Sequence, residues 1–278
     1  MKDVTYLLPC RIESEDRLRN VITSITYIMK CFPEAKVIVK EVDTQSHFSE
    51  SALPRIKSYV GDTSQLKHIF EQSSEKFFHK TRILNDLCVA ADTPILYNHD
   101  VDVVVLKNSH ELAHRAITYE GSDAVYPFGC GIYQWAVTYS NELLDKFLSS
   151  HDGNDADFEV LKDHKVRIPS SIGWGQMITK TCEVSVGLWN EEFISWGAED
   201  CEFYYRLNLF GFKVGRVIDD IYHFEHGRTF NSHYHNPKFQ DNDRLWNWIR
   251  TQDKESLTQY YAKLDYIKRR GEELNASL

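Results

Sequence analysis

The chain has 278 residues, of which 42% are hydrophobic and 26% charged, enough to bury a substantial core as one large domain or as one domain with an appendage. Its 32 Lys and Arg against 41 Asp and Glu give a formal net charge of -9, which argues against a nucleic-acid backbone as the main partner. Six scattered cysteines without a C-x-x-C pair argue against a disulfide framework, no apolar run approaches the length of a membrane span, and no basic region followed by an apolar stretch opens the chain. A soluble or peripheral protein with reduced thiols in a cytosolic setting is the expectation.

"VTYLLPC" is a short apolar run stopped by proline and reads as a buried strand. In "ESEDRLRNVITSITYIMKCF", Ser14 suits an N-cap and Leu18, Val21, Ile22, Ile25 and Ile28 share one helical face. "AKVIVKEVD" is a second strand, so the opening reads strand, helix, strand, as a parallel βαβ unit does. The stretch near "SHFSESALP" is polar and loop-like, "FFHKTRILNDLCVAAD" has a helical stripe, and "TPILYNHD" is a third strand. This alternation predicts an α/β fold whose ligand crevice lies beyond the carboxyl ends of the strands. Later, "SDAVYPF" and "IYQWAVTYS" read as strands and "NELLDKFLSS" as a helix. "SSIGWGQMITK" reads as a glycine-containing turn into a strand, and "AEDCEFYYRLNLFG" as a helix ended by Gly211. Residues 1–235 are expected to form the main domain and 236–278 a C-terminal helical extension.

Between two apolar runs stand Asp100 and Asp102. In extended backbone they point to the same side and can meet one hard cation such as Mn²⁺ or Mg²⁺, although a D-x-D alone also suits a solvated turn. Glu199 and Asp200 follow Trp196 and Gly197 at a helix start, where the helix dipole already favours acids but gives no reason for the bulky ring.

The order "LLPCR", "VIVKEVD", "FHKTRILND", "NHDVDVVV", "GWGQMITK", "FISWGAEDCEFYYRL" and "YHFEH" resembles nucleotide-diphosphosugar glycosyltransferases of the GT-A fold. It is similar to bacterial family 2 enzymes and to galactosyltransferases of the lactose synthase type. The likeness runs from Val4 to His226 and is most specific at the D-x-D and the W-G-[GA]-E-D block. It implies a mixed central sheet flanked by helices.

Carried over residue by residue, the resemblance implies that Pro9 and Arg11 face the nucleotide and that Asp43, with Glu41, lies near the base. It implies donor contacts by Lys80 or Arg82 and by Asn85, and a glycine-rich loop below the donor sugar at Gly173 and Gly175. Asp102 is the implied direct metal ligand, Asp100 contacts ribose or metal, and His223 completes the metal site, with His226, His233 and His235 as competitors. Trp196 is expected to line the donor pocket, Asp200 to be the catalytic base and Glu199 to position hydroxyls.

Ala198 stands where many relatives have glycine, so the loop should be less free. Retaining polypeptide N-acetylgalactosaminyltransferases carry Asn where this chain has Asp200, which favours inversion. The lactose synthase type has a membrane anchor and a Golgi setting; the lack of an anchor here points to a microbial cytosolic enzyme.

The expected activity is transfer of a hexose or N-acetylhexosamine, galactose-type favoured, from a UDP-sugar to a glycan or lipid-linked glycan, with Mn²⁺ or Mg²⁺ as cofactor. Two rival readings are a sugar-nucleotide nucleotidyltransferase and a catalytically silent glycan-binding module. The first calls for a glycine-rich basic loop after the opening strand, and "LLPCRIESEDR" is acidic and lacks glycine. The tail, with its aromatic residues and the triplet Lys268, Arg269 and Arg270, is expected to pack on the domain; a peripheral contact at the inner membrane face is the less favoured reading.

Overall fold

The structure is a computed structural model that describes residues 1–138, 140–150, 155–168, 171–232 and 235–276. Its strands are β1 (Val4–Cys10), β2 (Lys36–Asp43), β3 (Leu66–Gln72), β4 (Ile95–His99), β5 (Val103–Val105), β6 (Ala124–Tyr126), β7 (Gln134–Val137), β8 (Lys165–Arg167), β9 (Gly175–Thr179), β10 (Val214–Arg216) and β11 (Ile221–Phe224). Its α-helices are α1 (Glu15–Cys31), α2 (Leu53–Val60), α3 (Lys80–Ala90), α4 (Lys107–Glu120), α5 (Asn141–Ser150), α6 (Lys180–Ser185), α7 (Glu199–Leu209), α8 (Phe239–Ile249), α9 (Lys254–Tyr261) and α10 (Asp265–Ala276).

A seven-stranded sheet has the order β10-β6-β9-β4-β1-β2-β3, with β9 antiparallel to both neighbours and the other pairs parallel. Strand β1 is buried along its whole length because both faces are covered. Val4, Tyr6 and Leu8 share one core with Val21, Ile22 and Ile25 of α1, while Leu7 joins Ile83, Leu84 and Leu87 of α3 on the other side. The mixed α/β architecture expected from the sequence is present.

Two stretches differ from expectation. The stretch read as a loop near "SHFSESALP" holds a turn of π-helix at Phe48–Ala52 that runs into α2, and β3 follows it. Strand β3 is an edge strand with most positions half-exposed, so it lacks the apolar run that marks β1 and β2. The D-x-D is not extended strand either, since Val101 and Asp102 form a turn between β4 and β5.

That turn passes the chain to a second sheet of order β5-β11-β7-β8. There Val103 pairs with His223, and the Phe224 amide donates to the Asp102 carbonyl at 2.8 Å. In the first sheet His99 pairs with Gly175, and the Asp100 amide donates to the Trp174 carbonyl at 3.0 Å. The junction of the two sheets therefore fixes where the site residues meet.

Helices α8 and α9 pack on α7 through a cluster that includes Phe193, Ile249, Leu257 and Tyr261. Beneath it, the fully buried Arg206 donates to both oxygens of Glu202, at 2.7 and 3.0 Å, and to the carbonyls of Val186 and Leu188. The Tyr261 hydroxyl donates to the same carboxylate. Of the basic triplet, Arg270 is buried and paired with Asp86 and Glu191, and the half-exposed Arg269 also reaches Glu191. Among the described residues no helix is long and apolar enough to cross a membrane.

Removing one partner of a buried ion pair leaves the other charged and unsatisfied, at about 3–5 kcal/mol. Arg206→Met should lower the unfolding free energy by about that much in urea titration, and adding Glu202→Gln should recover most of it. A loss well under 1 kcal/mol for the single variant would show that the network does not hold α7.

Candidate functional site

The carboxyl end of β4, the start of α3 and the start of α7 converge on a cleft of about 860 Å³, part of it open to solvent. Pro9, Lys80, Asp100, Asp102, Trp196, Glu199, Asp200, His223 and His226 line it, and so do Arg17, Phe78 and Arg228, which the sequence reading did not single out.

On one side Asp102, His223 and His226 offer one ligand atom each, all within 4.8 Å of one another. His226 Nε2 lies 3.2 Å and His223 Nε2 3.7 Å from Asp102 Oδ2, whereas Oδ1 is buried with no hydrogen-bond partner. His223 Nδ1 faces Glu225 Oε1 at 3.2 Å, and the His223 ring stacks on Trp174 at 5.7 Å. Burial alone would raise the Asp102 carboxyl, but the two imidazoles hold it well below its usual range. Burial likewise opposes charge on His223, yet Asp102 and Glu225 bring it up to about 9. An orphaned carboxylate oxygen beside two imidazoles, one of them oriented by an outer carboxylate, fits a divalent transition ion. These donors suit Mn²⁺ better than Mg²⁺, which prefers oxygen ligands throughout.

Asp100 does not join that cluster. It pairs with Lys80 Nζ at 2.9 Å, and the same ammonium lies 3.7 Å from Glu199 and 3.7 Å from Asp200. Glu199 is nearly buried and accepts from the Gly197 amide at 3.0 Å, which fixes its orientation. Desolvation, with Glu199 and Asp100 adding to it and Lys80 opposing, pushes the Asp200 carboxyl up to about 7. Gly173 backs directly on Asp200, since a Cβ there would lie 2.2 Å from Asp200 Oδ2. Gly175 lies beneath, on a small cavity it shares with Gly173, Asp100 and Asp200.

Other expected contacts lie elsewhere. Glu41 is fully buried and accepts from the Phe48 amide, the Ser46 hydroxyl and His68, so it caps the turn after β2 rather than facing a base. Asn85 is buried and bonds both polar groups of the Trp189 backbone and Glu191, and Arg82 pairs with Glu71 outside the cleft. Arg11 is held by the carbonyls of Val42 and Lys76. It borders, with Asp43, a shallow groove that runs on from the cleft past Phe78. His235 is exposed and outside the ligand cluster, and His233 lies outside the described residues.

The loop before α7 is backbone-strained: Ser195 and Ala198 have φ of 62° and 65°, and Trp174 across the cleft has φ of 83°. The extension holds this loop. Asn236 and Asn242 both donate to the carbonyls of Ile194 and Trp196, and Asn242 accepts from the Ile194 amide.

A family model described as the N-terminal domain of galactosyltransferase matches residues 162–227, under a quarter of the chain, spanning Asp200, His223 and His226. A mannosyltransferase from Pyrobaculum calidifontis, solved with GDP-Man and Mn²⁺, is 12% identical with a TM-score of 0.56, over 99% of this chain and 72% of that one. S. aureus TarS 1-349, solved with UDP-GlcNAc, is 14% identical with a TM-score of 0.55, over 98% and 70%. No curated protein sequence matches. The fold is therefore the GT-A fold, and the family match supports a glycosyltransferase.

A non-glycine residue in the left-handed region costs roughly 1 kcal/mol. Ala198→Gly should relieve about 0.5–1 kcal/mol of it and raise the thermal midpoint by about 2 °C, read by calorimetry. A lowered midpoint would mean that the methyl packing against the α8–α9 cluster outweighs the strain.

Proposed function

We propose that the chain is an inverting, metal-dependent glycosyltransferase that moves a hexose or N-acetylhexosamine, galactose-type favoured, from a UDP-sugar to a glycan or lipid-linked glycan in bacterial polysaccharide or glycoconjugate synthesis. The observation that carries this reading is the facing of two unlike groups across one cleft: Asp102 with His223 and His226, and Glu199 with Asp200. The galactosyltransferase-type match and the UDP-GlcNAc carried by one structural neighbour support a UDP-sugar; the GDP-Man carried by another keeps GDP-sugars in the test.

Asp102, His223 and His226 would hold the ion. When bound there, it acts as a Lewis acid toward the charge that grows on the leaving diphosphate. Asp200 takes the proton of the attacking acceptor hydroxyl as the new glycosidic bond forms. A pKa near 7 suits that task, because the group is ionised often enough to act and basic enough to draw the proton. Glu199, locked by the Gly197 amide, is placed to orient substrate hydroxyls, and Trp196 offers a ring about 40% exposed as one wall. With the base opposite the diphosphate, one in-line displacement turns an α-linked donor into a β-linked product.

Asp200→Asn keeps the size of the side chain and removes its basicity, so kcat should fall by about 10²–10⁴ with UDP affinity retained. The parent rate should rise with pH through about 7, following ionisation of Asp200. Stability moves the other way. The folded pKa exceeds the unfolded one, so the carboxyl's contribution is intact below about pH 4 and is lost as pH rises through 7. Asp200→Asn should therefore be more thermostable than the parent at pH 8 and nearly equal to it at pH 4. A variant that turns over at the parent rate, or an α-linked first product by proton NMR with an α-linked UDP-sugar or GDP-sugar donor, contradicts the inverting mechanism.

A further inference from the structure

We infer that Arg17 binds the diphosphate of the donor in the cleft it shares with Asp102; this rests on the function proposed above. Arg17 lines both the cleft that contains Asp102, His223 and His226 and the adjoining depression bordered by Pro9, Phe78 and Asn231. It stands where a ligand spanning the ion site and the groove beyond β1 would have to pass.

Its donors are only partly used without such a ligand. Arg17 lies in the first turn of α1, its amide donating to the Ser14 cap at 3.3 Å, where the helix dipole favours Glu15 and Asp16 and opposes a positive charge. Its Nε is buried with no hydrogen-bond partner; it forms an ion pair with Glu13 at 3.6 Å, too long for a hydrogen bond, so the charge is partly balanced while the donor stays unused. Among the described residues its guanidinium donates one hydrogen bond, from Nη2 to the neutral Ser232 hydroxyl at 3.1 Å.

Arg228 lines the same cleft, while two other neighbouring cations are engaged elsewhere. Lys80 serves Asp100, Glu199 and Asp200, and Arg11 is held by two backbone carbonyls. A diphosphate carries charge on two phosphates, and an ion at the Asp102 cluster balances only part of it. A planar guanidinium with unused donors matches the oxygens of the remaining phosphate in geometry and in charge.

Calorimetric titration of UDP and of GDP in MnCl₂, with the parent, Arg17→Ala and Arg17→Gln, tests this. Hydrogen bonds to charged groups are worth about 1.5–3 kcal/mol, so both variants should bind the parent's preferred diphosphate about 10- to 100-fold more weakly. Mn²⁺ affinity without nucleotide and the ligand-free thermal midpoint should stay at parent values; Arg17→Gln keeps a donor for Ser232 and guards against misfolding of the alanine variant. Diphosphate affinity within twofold of the parent in Arg17→Gln overturns the role of Arg17 alone. A loss of diphosphate affinity accompanied by a lowered ligand-free midpoint in both variants overturns it in favour of a structural role. A parent that binds neither diphosphate refutes the proposed function, and this inference with it.

Discussion

Lys80 is the one cation that three of the four cleft carboxylates share, and the geometry of the site depends on it. Its ammonium lies 2.9 Å from Asp100 and 3.7 Å from both Glu199 and Asp200. Burial alone would favour the neutral amine, but these acids keep the lysine charged, well above its usual range. Carboxylates this close in a poorly hydrated cleft repel one another, and without the ammonium they would protonate or separate. Lys80 also begins α3, while its partners end β4 and begin α7, so a single ammonium joins three elements. Asp102 lies outside this arrangement and depends on two imidazoles, which divides the cleft into a lysine-bridged acid half and an aspartate–histidine half.

The lysine-bridged half is assembled under strain. Trp174, Ser195 and Ala198 all adopt left-handed backbone at the cleft, a conformation that costs each of them energy and persists only where the surroundings over-determine it. Asn236 and Asn242 supply that restraint from the C-terminal extension through the carbonyls of Ile194 and Trp196. Below them, the Arg206–Glu202 pair and Tyr261 tie α7 to α9. The extension thus serves the geometry of the Trp196–Asp200 loop as well as the core.

Much of this was legible in the sequence, for reasons that also explain the errors. Strands β1, β2 and β4 announce themselves because both faces are largely buried and each carries an unbroken apolar run, Tyr6–Leu8, Val37–Val39 and Ile95–Tyr97, whereas β3 at the edge carries Lys67, His68 and Glu71 and reads as nothing in particular. The acids of the D-x-D and of the W-G-A-E-D block do face one cleft, because element ends are where a chain can group polar side chains beside the cations and imidazoles that offset their burial. Residue type could not tell Glu41 and Asn85 from site residues, since a buried carboxylate or amide that satisfies backbone groups has the same composition as one that waits for a ligand. The choice among four histidines depended on how β11 pairs with β5, and that register brings His223 and His226 together on Asp102. The latch from Asn242 to Trp196 spans 46 positions and leaves no local trace.

The central claim is that the ion bound by Asp102, His223 and His226 is the one that meets the diphosphate. Pulsed electron paramagnetic resonance of the protein with Mn²⁺ and UDP reads both contacts at one centre. The account predicts nitrogen hyperfine couplings from the imidazoles together with a phosphorus coupling from the nucleotide, and loss of the nitrogen couplings in a His223→Ala, His226→Ala double variant. A phosphorus coupling without any imidazole nitrogen in the parent would place the ion elsewhere and contradict the account.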